Sequence, residues 1–456
     1  MSGLYGSLSV ALSSLMASQQ ALETTANNVA NANTPGFSRQ RPVLVPGDSV
    51  VEGALSFGTG VVLQRMESLR DPILEIQLTQ ETQQHSRLDT LLGALQQMQT
   101  SFSSADSGIG ADLSKFFSSL QQLSPDPSNV SLRQAVLTAA GNLANDFNTT
   151  AHNLQTQRSN LDLNVVQTVS EINTLTGQIA SVGGQIANLE NVHQDASALI
   201  DKQTTLIRQL SGLTDVSVIQ TGHGIALTTS SGVPLVTESQ SFQLTTQVGT
   251  DGLRHIFAEG RDMSGSLAGG SLAGLIEMRD QEIPGFLNSL DQLATGLTSA
   301  LNIANQAGYD LNGNRGGNLF VPPPAGGPGA AAAMSLNLTD PNLLAASSDG
   351  TAGSNGNLAA LLAVHDQAVA AGQKPVDFYS NLVFEIGSAT SNTSADLDAS
   401  TMILQRLQDQ RSSVSGVSLD EEAANLAKYQ TAYQAAARVV TTINDLLDAA
   451  VNLGRY

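Results

Sequence analysis

The sequence contains no cysteine and no tryptophan, and aromatic residues make up only 4% of its 456 residues. The absence of cysteine excludes disulfides, thiolate metal sites and cysteine nucleophiles. With so few aromatic side chains, the core must be built mainly from leucine, isoleucine, valine and alanine, a composition that suits helical bundles. A chain of this length exceeds one compact core, so we expect two or three domains.

Basic residues are scarce: 20 Lys and Arg stand against 40 Asp and Glu, which gives a formal net charge of −20. The basic residues are spread thinly and form no patch. Because nucleic-acid binding requires clustered Lys and Arg to neutralise phosphates, we expect no nucleic-acid partner. The acidic balance favours solubility.

Long apolar runs are also missing. No stretch approaches the 18 consecutive apolar residues of a membrane-spanning helix, so we expect no membrane insertion. The N-terminal residues lack a basic segment followed by an uninterrupted apolar segment. The sequence therefore predicts no cleavable signal peptide.

Heptad spacing dominates the C-terminal residues 418–453. Ser418 and Glu421 form a capping box that predicts a helix start, and Gly454 predicts its end. Apolar residues then recur every seven positions in two rows. The first row is Leu419, Leu426, Tyr433, Val440 and Leu447, and the second is Tyr429, Ala436, Ile443 and Ala450. Such a narrow apolar seam predicts a helix that needs a partner helix.

The N-terminal residues offer that partner. Leu8, Leu15, Leu22 and Val29 form one heptad row, and Leu4, Ala11, Ser18 and Thr25 form a weaker companion row. Small residues allow helices to approach closely. We therefore predict a terminal coiled coil formed by residues 1–34 and 415–456. Low helix propensity near the N-terminus predicts that both ends are mobile in the free subunit and order when subunits pack.

In the rest of the chain, apolar residues recur with the period of a helix in some segments and with the period of a strand in others. Residues 35–67 are extended, and the helical segments of residues 35–213, 271–307 and 357–414 predict an elongated bundle. Gly183-Gly184 predicts a kink or a close crossing, and His193 is assigned to the bundle seam. Residues 214–270 alternate with period two and carry a strong hairpin turn at Asp251-Gly252. We expect residues 308–356 to add strands to the same β domain. The predicted fold is mainly α with an inserted all-β domain.

We find no pattern of an active site or cofactor site. Asp310 begins a segment similar to a calcium loop, but Arg315 and Val321 replace the required Gly and Glu. The six histidines share no metal-ligand spacing. Carboxylate pairs lie on the C-terminal helix, where capping and solvation explain them better than hydrolysis. We therefore expect no enzyme activity and no cofactor.

Both chain ends carry longer motifs. Residues 26–38, Ala-Asn-Asn-Val-Ala-Asn-Ala-Asn-Thr-Pro-Gly-Phe-Ser, resemble the N-terminal signature of the axial proteins of the bacterial flagellum, which include rod, hook and hook-associated proteins. The C-terminal residues 418–453, with Asp420-Glu421-Glu422-Ala423-Ala424-Asn425-Leu426, resemble the matching C-terminal signature. Segments after the bundle, around residues 274–284 and 308–313, resemble the hook-associated members. Pro35-Gly36 independently predicts a type II turn that ends the first helix.

The resemblance implies a structural role in the flagellum. It implies export without a cleaved signal peptide, an extracellular location at the hook–filament junction, and a ring of identical subunits that joins hook to filament. The implied partners are copies of the chain, the hook protein, a second hook-associated protein on the filament side, and a cytosolic export chaperone that binds the C-terminal helix. A rod or hook subunit remains the alternative within the family, and a secreted wall hydrolase the alternative outside it. The residues expected to carry assembly are Leu8, Leu15, Leu22, Val29, Leu426, Tyr429, Tyr433, Val440, Ile443 and Leu447.

Overall fold

A computed structural model describes residues 2–52, 55–102, 108–222, 224–324 and 328–453. The predicted helix end at Gly454 lies outside these residues. The described chain is mainly helical, with small antiparallel sheets in mid-chain and a long helix near the C-terminus. This confirms the predicted fold class.

The helices begin and end close to the positions that the apolar period and the turn residues indicate. Asp71 caps one start: its Oδ1 accepts from Ile73 N at 2.9 Å, ahead of Pro72 in the favoured first position. A π-helical turn, Met278–Glu282, directly precedes the helix that begins at Ile283. The helices are α1 Ser2–Ala30, α2 Pro72–Phe102, α3 Ile109–Leu123, α4 Val130–Asn191, α5 Ser197–Leu213, α6 Gly270–Glu277, α7 Ile283–Ala307, α8 Ala330–Ala333, α9 Gly356–Ala363, α10 Pro375–Ser415 and α11 Leu419–Leu453.

The strands form small sheets, mostly between strands that follow each other in sequence; the exception is the pair β1 and β4, which encloses β2 and β3. β1 pairs antiparallel with β4 and β2 with β3, while the orders β5-β6-β7-β8 and β9-β10-β11 make up the mid-chain sheets. The strands are β1 Gln40–Pro46, β2 Val50–Glu52, β3 Leu55–Phe57, β4 Val61–Ser68, β5 Ser217–Thr221, β6 Gly224–Thr228, β7 Pro234–Thr237, β8 Gln240–Ser241, β9 Leu244–Val248, β10 Arg254–Ala258 and β11 Arg261–Asp262. A left-handed Gly252 lies in the predicted turn between β9 and β10.

The chain divides into two compact units. The first contains Met1–Gln83, Glu171–Leu244 and Ser400–Tyr456, and the second contains Gln84–Ser170 and Thr245–Ala399. Sheet β5–β8 belongs to the first unit, and strands β10 and β11 belong to the second. The mid-chain strands are therefore not grouped in one compact unit. The division into three domains remains a prediction.

The expectation that residues 308–356 add strands to the β region is wrong for the part of that segment that is described. It contains α8 and isolated β-bridges such as Phe320–Leu336, but no named strand. Polar side chains of the second unit hold it instead. Asn302 Nδ2 donates to Phe320 O at 2.9 Å, and the buried Arg133 donates from Nη1 to Leu344 O at 2.6 Å. Side-chain hydrogen bonds satisfy backbone groups that a sheet would otherwise satisfy.

Helix α4 runs without interruption through Gly183-Gly184. The glycines serve a close approach, because a Cβ on Gly183 would lie 2.5 Å from the carbonyl oxygen of Glu238. Of the two predicted alternatives, the structure therefore shows the close crossing. The assignment of His193 to the seam is wrong: this residue is exposed in the turn after α4 and adopts φ 57°.

Candidate functional site

The two ends of the chain pack together in the first unit. Helix α1 contacts α11 along its length and also contacts strands β1 and β4. In α1 the buried residues that recur in heptads are small or polar: Ala11, Ser18 and Thr25 form one row, and Ala21 and Asn28 form another. In α11 the buried residues are Glu422, Ala436 and Ile443. The structure thus pairs the two helices that the heptads predicted to pair.

The leucine row of α1 is not the inner row. Leu8, Leu15 and Leu22 are half-buried, and Val29 is 42% exposed. The companion row, interpreted from sequence as the weaker one, is the row that is buried. Small side chains permit the closest approach of two backbones, and the larger leucines then lie at the edge of the contact.

The predicted residues of α11 also divide by burial. Ile443 is buried, whereas Tyr429, Tyr433, Val440 and Leu447 are half-buried and Leu426 is exposed. Ile443 therefore packs within the subunit. The remaining predicted residues keep accessible surface.

A cluster of polar residues, here called the polar clasp, ties the ends together: Asn28, Arg39, Gln40, Glu421 and Glu422. Asn28 Nδ2 donates to Glu422 Oε2 at 3.2 Å and to Gln40 O at 2.8 Å, and Gln40 N donates to Asn28 Oδ1 at 3.0 Å. Arg39 Nε donates to Glu422 Oε1 at 2.7 Å, and its Nη1 pairs with Glu421. Burial alone would lower the pKa of Arg39, but the two carboxylates raise it.

Sequence reasoning missed the polar clasp. Glu422 stands seven residues before Tyr429, at the position where the second heptad row would have begun had it been apolar. Its side chain is only 2% exposed. Burying a charge at a seam position is costly unless the charge is paired. Glu422 and Asn28 each lie within one of the two terminal signatures, and this was the sequence signal that could have indicated their contact.

The predicted type II turn at residues 34–37 is present. Phe37 N donates to Thr34 O at 3.2 Å, and Gly36 has φ 85°, which the third turn position requires. Arg411 fixes this turn by donating from Nη2 to Gly36 O at 3.0 Å, and its Nε donates to Glu75 Oε1 at 2.6 Å. The turn between α1 and β1 is thus held by the end of α10.

The start of α11 follows the predicted capping box in part. Glu421 N donates to Ser418 Oγ at 3.4 Å. The Glu421 carboxylate turns toward Arg39 and joins the polar clasp. The negative charges of the first turn stabilise the positive end of the helix dipole.

Both terminal helices keep apolar side chains on their surfaces. An open groove of about 1200 Å³ also lies between α1 and α11, lined mainly by small residues such as Gly6 and Ala435. The exposed apolar residues are Tyr5, Leu12, Met16 and Val29 in α1, and Leu419, Leu426, Val439, Leu446 and Val451 in α11. A stable monomer does not need two paired antiparallel helices with so much apolar surface, so this face is suited to contact other helices.

The described residues lack both a metal-binding group and a helix that could cross a membrane. No group of three or more His, Asp or Glu side chains among them could hold a metal ion. None of the helices that the structure describes combines the length and apolar character needed to cross a bilayer.

Three family models match the chain. Residues 95–320 match the helical domain of the flagellar hook-associated protein FlgK, residues 8–37 match the flagella basal body rod protein, and residues 408–453 match the C-terminal region of the flagellar basal body rod FlgEFG protein. The two rod-protein matches coincide with α1 and the turn after it, and with the end of α10 and α11.

Curated relatives match over nearly the whole length. Flagellar hook-associated protein 1 of Bacillus subtilis (strain 168) is 30% identical, and the alignment covers 99% of each chain. The protein of the same name from Escherichia coli (strain K12) is 26% identical, covering 97% of this chain and 98% of its own.

Among solved structures, the flagellar hook junction protein FlgK from Burkholderia pseudomallei has a TM-score of 0.68 at 18% identity, covering 74% of this chain and 100% of its own. At this identity the likeness supports the fold. Because similarity to the curated relatives spans both paired ends and everything between them, this chain belongs to the flagellar hook-associated protein 1 family and is a structural protein of the bacterial flagellum.

Proposed function

We propose that this chain assembles as a ring at the distal end of the flagellar hook and joins the hook to the filament. The observation that carries the proposal is the terminal helix pair. It is locked internally by the polar clasp and buried small residues, yet it leaves Leu426, Leu446 and other apolar side chains exposed. Neighbouring subunits with similar helices would cover that surface.

The predicted assembly residues at the edges of the helix pair would then contact neighbouring subunits. Leu8, Leu15, Leu22 and Val29 on α1, and Leu426, Tyr429, Tyr433, Val440 and Leu447 on α11, all retain accessible surface. Head-to-tail contacts through such residues form a ring or a helix rather than a closed dimer. Full burial of one leucine side chain contributes about 1.5–3 kcal/mol. The hook protein below and a second hook-associated protein above are the proposed neighbours along the axis.

The test is electron microscopy of a strain that lacks the gene, combined with an assay of flagellin in the medium. We expect complete hooks without filaments, and flagellin lost to the medium. Absent or truncated hooks would instead assign the chain as a rod or hook subunit, the alternative within the family. Normal filaments would contradict any junction role.

We also propose that a cytosolic export chaperone covers α11 before the chain leaves the cell, uncleaved, through the flagellar export apparatus. The exposed apolar residues of α11 need cover until neighbouring subunits supply it. Removing residues 426–456 should abolish chaperone binding measured by calorimetry with the purified proteins. Retained affinity would contradict this assignment. Removing residues 1–30 as a control should leave the binding in place.

A further inference from the structure

We propose that α11 carries two complementary charged faces, through which a second copy of this chain packs parallel to it with a fixed axial displacement. The proposal rests on the proposed function, because it assumes that copies of the chain meet through their terminal helices. It adds the residues that set the register between them.

The charges of α11 are arranged with heptad spacing. Glu421 and Lys428 are seven residues apart and share one face, here called the first charged face. Arg438 and Asp445 are also seven residues apart and share another, the second charged face. Lys428 and Arg438 are ten residues apart, which at 3.6 residues per turn places the two faces on different sides of the helix. Neither face is the buried row that contacts α1.

The order of charge along the two faces is opposite. Along the first charged face a negative residue precedes a positive one, and along the second a positive residue precedes a negative one. Lys428 and Asp445 are 17 residues apart, and so are Glu421 and Arg438. One displacement of about 26 Å along the axis, at 1.5 Å per residue, therefore brings both opposite-charge pairs level between two parallel helices.

Other arrangements do not satisfy both pairs. Asp420 lies on the second charged face, because it is 18 residues, or five full turns, from Arg438. Two parallel helices with no displacement would therefore place Glu421 of one beside Asp420 of the other, which is a repulsive contact. An antiparallel arrangement that joins Lys428 to Asp445 leaves Glu421 far from Arg438. The pattern therefore selects a parallel, displaced neighbour, and since the two faces differ the contact is head-to-tail.

These charges are available for a partner. Among the described residues, Lys428, Arg438 and Asp445 are exposed and form no ion pair. Lys428 lies 5.7 Å from the ring of Tyr429, a contact that leaves its charge in place. Glu421 already pairs with Arg39, but Arg39 is shared with Glu422. Two carboxylates facing one guanidinium leave one net negative charge for Arg438 of the neighbour.

The absence of native cysteine allows a direct test of the register by cross-linking. The variant Lys428→Cys/Asp445→Cys, expressed as the only copy and examined in isolated hooks after mild oxidation, should give a ladder of multimers on a non-reducing denaturing gel. A disulfide within one helix is excluded, since the two positions are about 26 Å apart and Cα atoms of a disulfide lie within about 7 Å.

The matched control is Lys428→Cys/Asp448→Cys, which moves one thiol about 60° around the helix and about 4.5 Å along it, away from the position level with residue 428 of the neighbour. It should give far less of the ladder. Monomers alone from the first variant, or equal ladders from both, would overturn the proposed register.

Charge exchange gives a second test through filament formation. Lys428→Glu should lose most filaments while the variant is still exported. The double variant Lys428→Glu/Asp445→Lys should regain them, because it restores the pair with reversed polarity. Lys428→Glu/Asp448→Lys has the same net charge and should not regain them.

The outcomes separate this inference from the proposed function. Normal filaments with Lys428→Glu, or equal recovery in both double variants, would overturn the register and leave the junction role standing. Normal filaments in the strain that lacks the gene would remove the junction role itself.

Discussion

The residue that joins the two ends of this chain most directly is Glu422, a buried carboxylate in a seam whose other buried side chains are uncharged. It accepts from Arg39 Nε at 2.7 Å and from Asn28 Nδ2 at 3.2 Å. A buried charge of this kind is tolerated only with its partners, so it fixes which residues of α1 and α11 face each other. The polar clasp sets the register of the terminal helix pair.

Replacing Glu422 should loosen both terminal helices. We expect Glu422→Gln to destabilise them by about 1–3 kcal/mol, since it removes the charge that Arg39 and Asn28 share. Faster hydrogen exchange in peptides from α1 and α11 would report the change. Glu421→Gln is the matched control: its side chain is 62% exposed, and exposed ion pairs contribute about 0–1 kcal/mol. Equal effects from the two variants would contradict the role of burial.

A second buried carboxylate, Asp162, should make the second unit sensitive to acid. Burial alone would raise its pKa, but hydrogen bonds from Arg254 and the charge of Arg279 lower it. With the folded-state pKa depressed, the stabilisation is present above the usual aspartate range and is lost as pH falls through the folded pKa.

We therefore expect the stability difference between the parent and Asp162→Asn to be largest near neutral pH and to shrink in acid. Thermal unfolding of both proteins at a series of acidic pH values measures this difference in stability. Hydrogen exchange in α4 provides a second, local measurement. A difference that is constant with pH would contradict the assignment.

The sequence predicted the pairing of the ends and some of its buried residues, such as Ala436 and Ile443, but not the polar clasp. Heptad rows and the two terminal signatures identified α1 and α11, because repeat spacing depends only on helix geometry. Which row of α1 lies inside depends on how closely the two backbones approach, and side-chain size alone does not specify it. The pairing of Glu422 with Asn28 depends on a tertiary contact that no local pattern specifies.

At the scale of elements, the hairpin of β1 and β4 supports α1 from a second side. Its glycine at residue 60 has φ 99°, and a Cβ there would collide with Ser13 and approach Val10 Cα within 3.3 Å. Ser13 Oγ also accepts from Val61 N at 3.3 Å. The hairpin can contact α1 this closely because residue 60 has no side chain.

Adding a side chain at residue 60 should separate the hairpin from α1. Gly60→Ala should cost about 1–3 kcal/mol through backbone strain, in addition to the collision with Ser13. Hydrogen exchange in α1 and in β4 provides the measurement. Gly58→Ala is the control, because no atom lies within 4 Å of its added Cβ and its φ is not positive. Loss of protection in the control alone would contradict the explanation.

Other elements differ in how far the sequence predicted them. Helices α4 and α5 follow from their apolar period, and the close approach at Gly183 was one of two predicted alternatives. The segment of residues 308–356 was not predictable, because it is held by side chains of other elements, such as Arg133 of α4 and Asn302 of α7. Hydrogen bonds of that kind leave no periodic pattern.

At the scale of the whole molecule, assembly should be separable from folding. Leu426→Asp places a charge on an exposed apolar position of α11 and should abolish incorporation into flagella. Circular dichroism and thermal unfolding of the purified subunit should remain close to those of the parent, since Leu426 is already 37% exposed. Incorporation is measured by detection of the protein in isolated hooks.

Ala423→Asp is the control for added charge. It also lies exposed on α11, directly after the first turn, at the end of the helix where the dipole is positive. It should incorporate normally. Normal incorporation of Leu426→Asp would contradict the role of the apolar surface, and failure of both variants would point to net charge instead.

The polar clasp has a consequence for how the chain is made. Asn28 and Glu422 are 394 positions apart, so the ribosome must add that many residues after Asn28 before its partner exists. Until then α1 has no α11 to pack against. The contact therefore forms only in a chain whose translation has passed through α11, and a chain that stops before Glu422 cannot close the terminal helix pair.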